Sequence, residues 1–192
     1  MQPVQQRLMP HYCAMSIRAT LREDWHVNRG DGRGIFVVTA FRFAQAARGA
    51  GAHPRLAALP VGVAYKLIVS WLLGIDLPWS LPAPGPGLQL QHCVGLVVHK
   101  DAVIGRHVAF KQGVTIGISG STTRPDGAPT IGNDVVVGSG AQILGRITIG
   151  DNAVIGAGAI VLRPVPRGAV AVGNPARHFF RRAERAHSKV GD

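Results

Sequence analysis

The sequence predicts a mainly β protein, in which a parallel β-helix of hexapeptide repeats follows a short α-helical N-terminal domain. From Ile131 to Pro166 an aliphatic residue recurs every six positions, and a small or aliphatic residue lies four positions after each one. Leu144 and Leu162, which replace the glycine that otherwise follows the first aliphatic residue, are 18 positions apart. This double period is typical of a three-sided coil with one hexapeptide on each side, whereas neither an α-helix nor a sandwich strand requires it. The two repeating sets are Ile131, Val137, Ile143, Ile149, Ile155 and Val161, and Val135, Ala141, Ile147, Ala153, Ala159 and Val165.

Length and charge narrow the class of protein. The 192 residues allow one large or two small domains, and 46% hydrophobic with only 6% aromatic residues suits a core of stacked Ile, Val and Ala. The formal charge of +11 predicts an anionic partner. A nucleic acid is not expected, because the chain has neither a basic helix nor a basic strand interleaved with aromatic residues. Coenzyme A or an acidic polysaccharide fits the charge at least as well.

The expected location follows from the cysteines and the apolar segments. Cys13 and Cys93 form no metal-ligand spacing and no disulfide framework, which favours a reducing, cytoplasmic setting. Met1–Pro10 is polar and lacks the apolar core of a signal peptide. Leu56–Ile75 is largely apolar, but a proline, a glycine and a lysine interrupt it. We predict a buried or interface helix there, with membrane contact as the alternative.

The segments before the repeat predict a small helical domain. Residues 1–20 carry no pattern, and we expect them to be disordered. Helical spacing of apolar residues runs from Leu21 to Arg48, with a break at Asn28–Gly32, and a further helix is expected over Leu56–Leu73. These helices define a domain at 21–75.

The coil is predicted over 76–178 and a basic C-terminal tail over 179–192. Four prolines between Pro78 and Pro86 exclude a helix and suit irregular first turns. Two extra residues interrupt the hexads after Leu96, and a polar stretch from Ile118 to Thr130 interrupts them again. Insertions of this kind project from one face of a solenoid, often the binding face.

Two motifs accompany the repeat. The segment Gly87–Gly95 places His92 between two glycines, and Val172–Arg177 ends the coil with Val-Gly-Asn-Pro-Ala-Arg. With these motifs the chain resembles, over residues 20–178, the hexapeptide-repeat acyltransferases. It is most similar to the serine acetyltransferases and the colanic-acid-type exopolysaccharide acetyltransferases. The resemblance implies a left-handed coil, a homotrimer, and direct transfer of acetyl from acetyl-CoA, the co-substrate, to a hydroxyl without a metal.

The resemblance also implies roles for individual residues. His92 takes the catalytic position, as general base toward the acceptor hydroxyl. Asp76, in Gly74–Leu77, takes the position of its partner, with one residue more between the two than the family has. The expected coenzyme A positions are Gly117, Ile118, Ser119, Ser139 and Ala157, with Arg177 near the nucleotide phosphates. The expected acceptor-binding positions are Asp24 and Gln91.

The acceptor is predicted from departures from the family pattern. Gln91 stands where serine acetyltransferases have an aspartate, and Gly127-Ala128 stands where they have an Arg-His pair. Charge-assisted hydrogen bonds to an amino acid are strong, so losing these groups disfavours serine. We therefore expect a sugar hydroxyl in exopolysaccharide biosynthesis, with L-serine as the alternative. A non-catalytic scaffold or anionic-polymer binder is the third hypothesis.

Two other chemistries are weighed and disfavoured. Zinc-dependent carbonic anhydrases of the gamma class share this fold, but His92, His99 and His107 are too close in sequence to match their three ligands. Cys93 is a possible nucleophile toward a thioester. We expect it instead to fill a small position of the coil.

Overall fold

The computed structural model describes residues 16–49, 54–120 and 127–180. Residues 1–15, residues 121–126 of the projecting loop and the tail beyond 180 lie outside the described residues. Of the segment 1–20, which the sequence predicts to be disordered, residues 17–20 are helical. Side chains at 49 and 54–58 are likewise not described.

Among the described residues of the N-terminal part, three α-helices form where the apolar spacing predicts helices: α1 (Ile17–Val27), α2 (Gly32–Gly49) and α3 (Pro54–Tyr65), which continues as a π-helix (Lys66–Leu72). Helix α1 begins four residues before the predicted Leu21, because Ser16 caps it by accepting a hydrogen bond from the Ala19 N–H. The predicted break at 28–32 separates α1 from α2.

Thirteen short strands within the described residues form the three faces of the coil. Face one is the sheet β1-β4-β7-β10-β12-β13, face two is β11-β8-β5-β2, and face three is β3-β6-β9. All pairs are parallel except β12 with β13. The strands are β1 Gln89–Leu90, β2 Val97–Val98, β3 Val103–Ile104, β4 Ala109–Phe110, β5 Thr115–Gly117, β6 Thr130–Ile131, β7 Val136–Val137, β8 Gln142–Leu144, β9 Thr148–Ile149, β10 Val154–Ile155, β11 Ile160–Val161, β12 Ala169–Gly173 and β13 Ala176–Phe180.

The register of the strands confirms the hexad reading. Val97 pairs with Thr115, 115 − 97 = 18 positions later, as one full turn requires. Gln89 pairs with Ala109, 109 − 89 = 20 positions later, which accounts for the two extra residues seen in the sequence. The repeating aliphatic residues point inward and form one continuous buried core.

One corner of the coil, between faces one and two, is built on a column of glycines. Gly74, Gly95, Gly113, Gly140 and Gly158 all have φ between 65° and 71°, a left-handed conformation that glycine adopts without a Cβ clash. Backbone hydrogen bonds link successive turns here, from the Gly95 N–H to the Gly74 oxygen and onward at 2.9 Å each. We call this column the glycine corner.

The far end of the coil closes with an antiparallel hairpin of β12 and β13. Strand β13 reaches Phe180, two residues beyond the end of the coil that the sequence predicts. The hairpin gives the last turn a partner strand, so that β12 is not left as an open edge.

Candidate active site

Side chains from the helical domain hold the strand that leads to His92. The Leu88 N–H donates to Asp24 Oδ1, and the Leu90 N–H donates to Asn28 Oδ1, both at 2.9 Å. The His92 N–H donates to Asp31 Oδ2, also at 2.9 Å. Three polar side chains therefore satisfy every second N–H of the segment, and we call this arrangement the side-chain ladder.

The ladder follows from the geometry of both elements. Asp24 lies in the last turn of α1, and Asn28, four residues later, caps the C-terminus of that helix. Alternate N–H groups of a strand point the same way. The intervening N–H groups of Gln89 and Gln91 donate in the opposite direction, to the Val108 and Phe110 oxygens of the next turn. The N–H groups of residues 88–92 are thus satisfied alternately, by side chains of the helical domain on one side and by the next turn of the coil on the other.

Asp24 is the buried centre of this interface. Its side chain is fully buried, and it accepts hydrogen bonds from the Leu88 N–H and from Arg42, whose Nε lies 2.8 Å from Oδ2. Arg42 also donates to the Pro84 and Gly85 oxygens at 2.9 Å each. The acceptor-binding role expected for Asp24 stays a prediction, and it would require this network to open.

His92 lies at the glycine corner in an exposed position. Its backbone is left-handed, with φ 50°, and a non-glycine residue holds that conformation only where its surroundings fix it. The Asp31 contact to its N–H supplies part of that fixation. Gln91, the other expected acceptor residue, is half-buried directly before it.

Asp76 lies one turn below His92 at the same corner. It forms a parallel bridge with Val97, with its N–H donating to the Leu96 oxygen at 2.8 Å, and its side chain is exposed. Within the part of the chain that the structure describes, no hydrogen bond joins the Asp76 carboxylate to the His92 ring. The backbone therefore brings the two predicted catalytic residues to adjacent turns, and the dyad itself stays a prediction.

Asp31 is the residue of the site that sequence reasoning missed. It caps α2 by accepting from the Gly34 N–H at 3.0 Å, and its second oxygen reaches His92. Burial acts to raise the pKa of Asp31. The N–H groups of Gly34 and His92 and the nearby His92 side chain outweigh burial and hold the pKa below its usual range. In the sequence, Asp31 belongs to the predicted break at 28–32, and the one signal for its role is its helical spacing from Asp24 and Asn28.

Cys93 fills a buried position of the coil, as expected. Burial raises the pKa of its thiol, and the negative charge of Asp31 raises it further. A thiol kept protonated inside the coil is a poor nucleophile, so the geometry gives no support to a covalent acyl-enzyme.

His99 and His107, the other two histidines considered as zinc ligands, contact carboxylates and not His92. His107 contacts Glu23 through Nε2 and Asp134 through Nδ1, at 3.3 Å each. His99 lies 3.8 Å from Asp101. Among the described residues, no three metal-ligating side chains form a group that could hold a metal ion.

The expected coenzyme A positions flank face two on both edges. Ser139 and Ala157 stack at the glycine corner, where the Gly158 N–H donates to the Ser139 oxygen at 2.9 Å. Gly117 ends β5 at the opposite edge, followed by the half-buried Ile118 and Ser119. Four of the five positions carry small residues, namely Gly117, Ser119, Ser139 and Ala157.

Arg177 lies at the far end of the coil, on β13. It lines a cavity of about 360 Å³ together with Arg163 and His178. His92 lies on the first turn, so Arg177 is separated from it by the length of the coil.

Comparison with known proteins agrees with this architecture. Residues 128–163 match the family model described as bacterial transferase hexapeptide (six repeats). A soybean serine acetyltransferase complexed with serine superposes with a TM-score of 0.72 at 31% identity, over 85% of this chain and 70% of that one. A serine acetyltransferase in complex with CoA gives a TM-score of 0.70 at 29% identity, over 85% and 70%. These structures confirm the predicted left-handed parallel β-helix.

The similarity extends to sequence. Serine acetyltransferase 1, chloroplastic, of Arabidopsis thaliana is 45% identical over 107 residues, which are 55% of this chain and 34% of that relative. The fold and the repeat define a hexapeptide-repeat transferase. Within that class, the chain belongs to the serine acetyltransferase family. It spans about one third of the length of the Arabidopsis relative.

Proposed function

We propose that this chain is an acetyl-CoA-dependent O-acetyltransferase with its reaction centre at His92. The observation that carries the proposal is the exposed His92, fixed at the glycine corner by the Asp31 contact to its N–H. Membership of the serine acetyltransferase family supports the same activity.

The proposed reaction needs one proton carrier. The His92 ring takes the proton of the acceptor hydroxyl as its oxygen attacks the thioester carbon. The carbon–sulfur bond then breaks, and His92 returns the proton to the departing coenzyme A sulfur. Asp76, one turn below, would orient the imidazole and stabilise its charged form. The buried Cys93 takes no part.

L-serine is the acceptor that the comparisons favour. The relatives are serine acetyltransferases, and nothing in the comparisons supports the sugar acceptor that the sequence led us to expect. The structure adds one candidate group for binding serine, the carboxylate of Asp31. An ionised Asp31 beside His92 can pair with the ammonium group of serine, which offsets the neutral Gln91.

Coenzyme A is proposed to lie along face two. Gly117, Ile118 and Ser119 border one edge of that face, and Ser139 and Ala157 border the other, on the side of His92. The assembly expected from the resemblance, a homotrimer with coenzyme A between neighbouring coils, is part of this proposal. The cytoplasmic setting stays a prediction.

The acceptor is tested by thiol release from acetyl-CoA with L-serine and with a panel of sugars. Turnover with L-serine supports the proposal. Turnover with sugars alone would show that the neutral Gln91 and Ala128 set the specificity. Release with neither acceptor, together with no calorimetric binding of coenzyme A, would support a non-catalytic scaffold instead.

A further inference from the structure

The helical segment before the coil is attached to the strand segment that carries Asp76. Tyr65, at the end of α3, and Val69, in the π-helix, are both buried. They are four residues apart, so they lie on the same side of the helical segment. Across the described residues, no helix has the length and apolarity to cross a membrane.

The backbone of Ile75, Asp76 and Leu77 is hydrogen-bonded in two opposite directions. The Asp76 N–H donates to the Leu96 oxygen, and the Asp76 oxygen accepts from the Val98 N–H, at 2.8 Å each. These two bonds join the segment to β2 as a parallel neighbour. The Ile75 N–H and the Leu77 oxygen point the other way, because alternate backbone groups of an extended segment do so.

The helical segment takes the place of a neighbouring strand on that second side. The Tyr65 hydroxyl donates to the Leu77 oxygen at 2.7 Å, and the Ile75 N–H donates to the Val69 oxygen at 3.1 Å. Buried backbone groups require partners of this kind. The backbone that carries Asp76 is therefore fixed from both sides, although it borders face two at the end where β2 is the last strand.

The π-helical geometry makes the Val69 oxygen available for this contact. The Leu73 N–H donates to the Ile68 oxygen, five residues earlier, at 3.0 Å. In an α-helix the same N–H would bond to the Val69 oxygen. The wider turn leaves that oxygen to the Ile75 N–H, so the π-helix is linked directly to the residue before Asp76.

The Tyr65 hydroxyl is a constant donor at neutral pH. Burial raises the pKa of Tyr65, and the negative charge of Asp76 raises it further. A phenol whose pKa lies above its ordinary range stays protonated at neutral pH, so its hydrogen bond to the Leu77 oxygen persists. The effect of Asp76 also shows that its charge lies close enough to act on this hydroxyl.

We propose that Tyr65 is a positioning residue for Asp76. Tyr65 is buried, so it acts through the Leu77 backbone and not on the substrate. This role rests on the proposed function, in which Asp76 orients the His92 ring and stabilises its charged form. The side-chain ladder holds His92 in a comparable way, so each member of the proposed dyad is fixed by its own part of the helical domain.

A double-mutant cycle on the kinetics of acetyl transfer to L-serine tests the proposal. Tyr65→Phe keeps the buried ring and removes only the hydroxyl. It should lower kcat about tenfold, a part of the roughly 10²-fold that a misplacement of about 1 Å costs, and leave both KM values unchanged. Asp76→Asn should lower kcat further, and adding Tyr65→Phe to it should have no additional effect. A fall of similar size in both backgrounds would overturn the proposal, because Tyr65 would then act through the general fold.

The matched control is Thr39→Val, which removes another hydroxyl of the helical domain that donates to a backbone oxygen, that of Ile35 at 2.6 Å. It should keep the wild-type kcat. A wild-type kcat in Tyr65→Phe, with Asp76→Asn impaired, would overturn the positioning role and leave the proposed function intact. A wild-type kcat in Asp76→Asn would contradict the proposed dyad and the role of Tyr65 with it.

Amide hydrogen exchange tests the contact without any substrate. Tyr65→Phe should speed exchange of the Asp76 and Val98 amides several-fold relative to wild type and to Thr39→Val, because local opening then breaks one hydrogen bond fewer. Unchanged exchange at both amides would overturn the positioning role alone. Absence of acetyl transfer by wild type with any acceptor would instead overturn the proposed function and the positioning role together.

Discussion

Asp31 joins the helical domain to His92, the proposed reaction centre, through one carboxylate. One oxygen caps α2 at Gly34, and the other holds the His92 N–H. Asp31→Ala should lower kcat/KM for acetyl transfer by about 100-fold, since small displacements of a catalytic group cost that much. Steady-state kinetics measure the effect, and an unchanged kcat/KM would remove Asp31 from the site.

Asp31→Asn separates positioning from charge. The amide oxygen can still accept from the His92 N–H, so a purely positioning role predicts a near-normal kcat. If the carboxylate also pairs with the ammonium of serine, the KM for serine rises while the KM for acetyl-CoA does not. A rise in both constants would point to a general disturbance of the fold.

The lowered pKa of Asp31 gives a pH dependence with a definite sign. A carboxyl whose folded-state pKa is depressed stabilises the fold above its unfolded-state pKa, which for an aspartate is near 3.8. That contribution is lost as the pH falls through the lower folded-state pKa. NMR titration of the Asp31 carboxyl carbon should therefore give a midpoint below 3.8, and a midpoint above it would contradict the contacts described.

The thiol of Cys93 should be unreactive in the folded protein. Its thiol is buried and its pKa is raised, so alkylation by iodoacetamide at neutral pH should be slow until denaturant is added. Mass spectrometry of the Cys93 peptide follows the reaction. Cys93→Ala should keep its acetyl-transfer activity, and loss of activity with an intact fold would argue for a covalent intermediate.

At the scale of elements, α1 completes the first turn of the coil. Asp24 and Asn28 satisfy alternate N–H groups of the segment that contains β1, and Arg42 anchors the preceding loop. Asp24→Ala leaves Arg42 buried without its partner, which should cost about 3–5 kcal/mol of the free energy of unfolding. Urea denaturation measures it.

The control for that change is Asp101→Ala. Asp101 pairs with Lys100 at 3.1 Å, but both side chains are more than 60% exposed. An exposed pair contributes at most about 1 kcal/mol, so the midpoint should barely move. Equal midpoints for the two variants would mean that the helical domain does not stabilise the coil.

The sequence predicts the coil because each hexad is a local pattern with a fixed period. It therefore yields the core positions and the interruption after Leu96, whereas the pairing of Asp76 with His92 is predicted only from the resemblance to the family. The side-chain ladder is different, because it joins residues about 60 positions apart and depends on how the helices dock. No local periodicity of the sequence predicts that Asp24, Asn28 and Asp31 face the β1 segment.

At the scale of the whole molecule, both ends of the coil are protected. The helical domain covers the first turn, and the β12–β13 hairpin covers the last. A solenoid needs such caps, because each end would otherwise expose unpaired backbone groups and core side chains. The cap at the first turn also fixes His92, so stability and the proposed reaction centre depend on the same contacts.

The most direct test of the account is acetyl-CoA-dependent thiol release with L-serine by wild type, His92→Gln and His99→Gln. His92→Gln should lower kcat by 10²–10⁴-fold, the usual contribution of a general base. His99→Gln changes a histidine outside the glycine corner and should keep the wild-type rate. Equal rates for all three proteins would contradict the assignment of the reaction centre to His92.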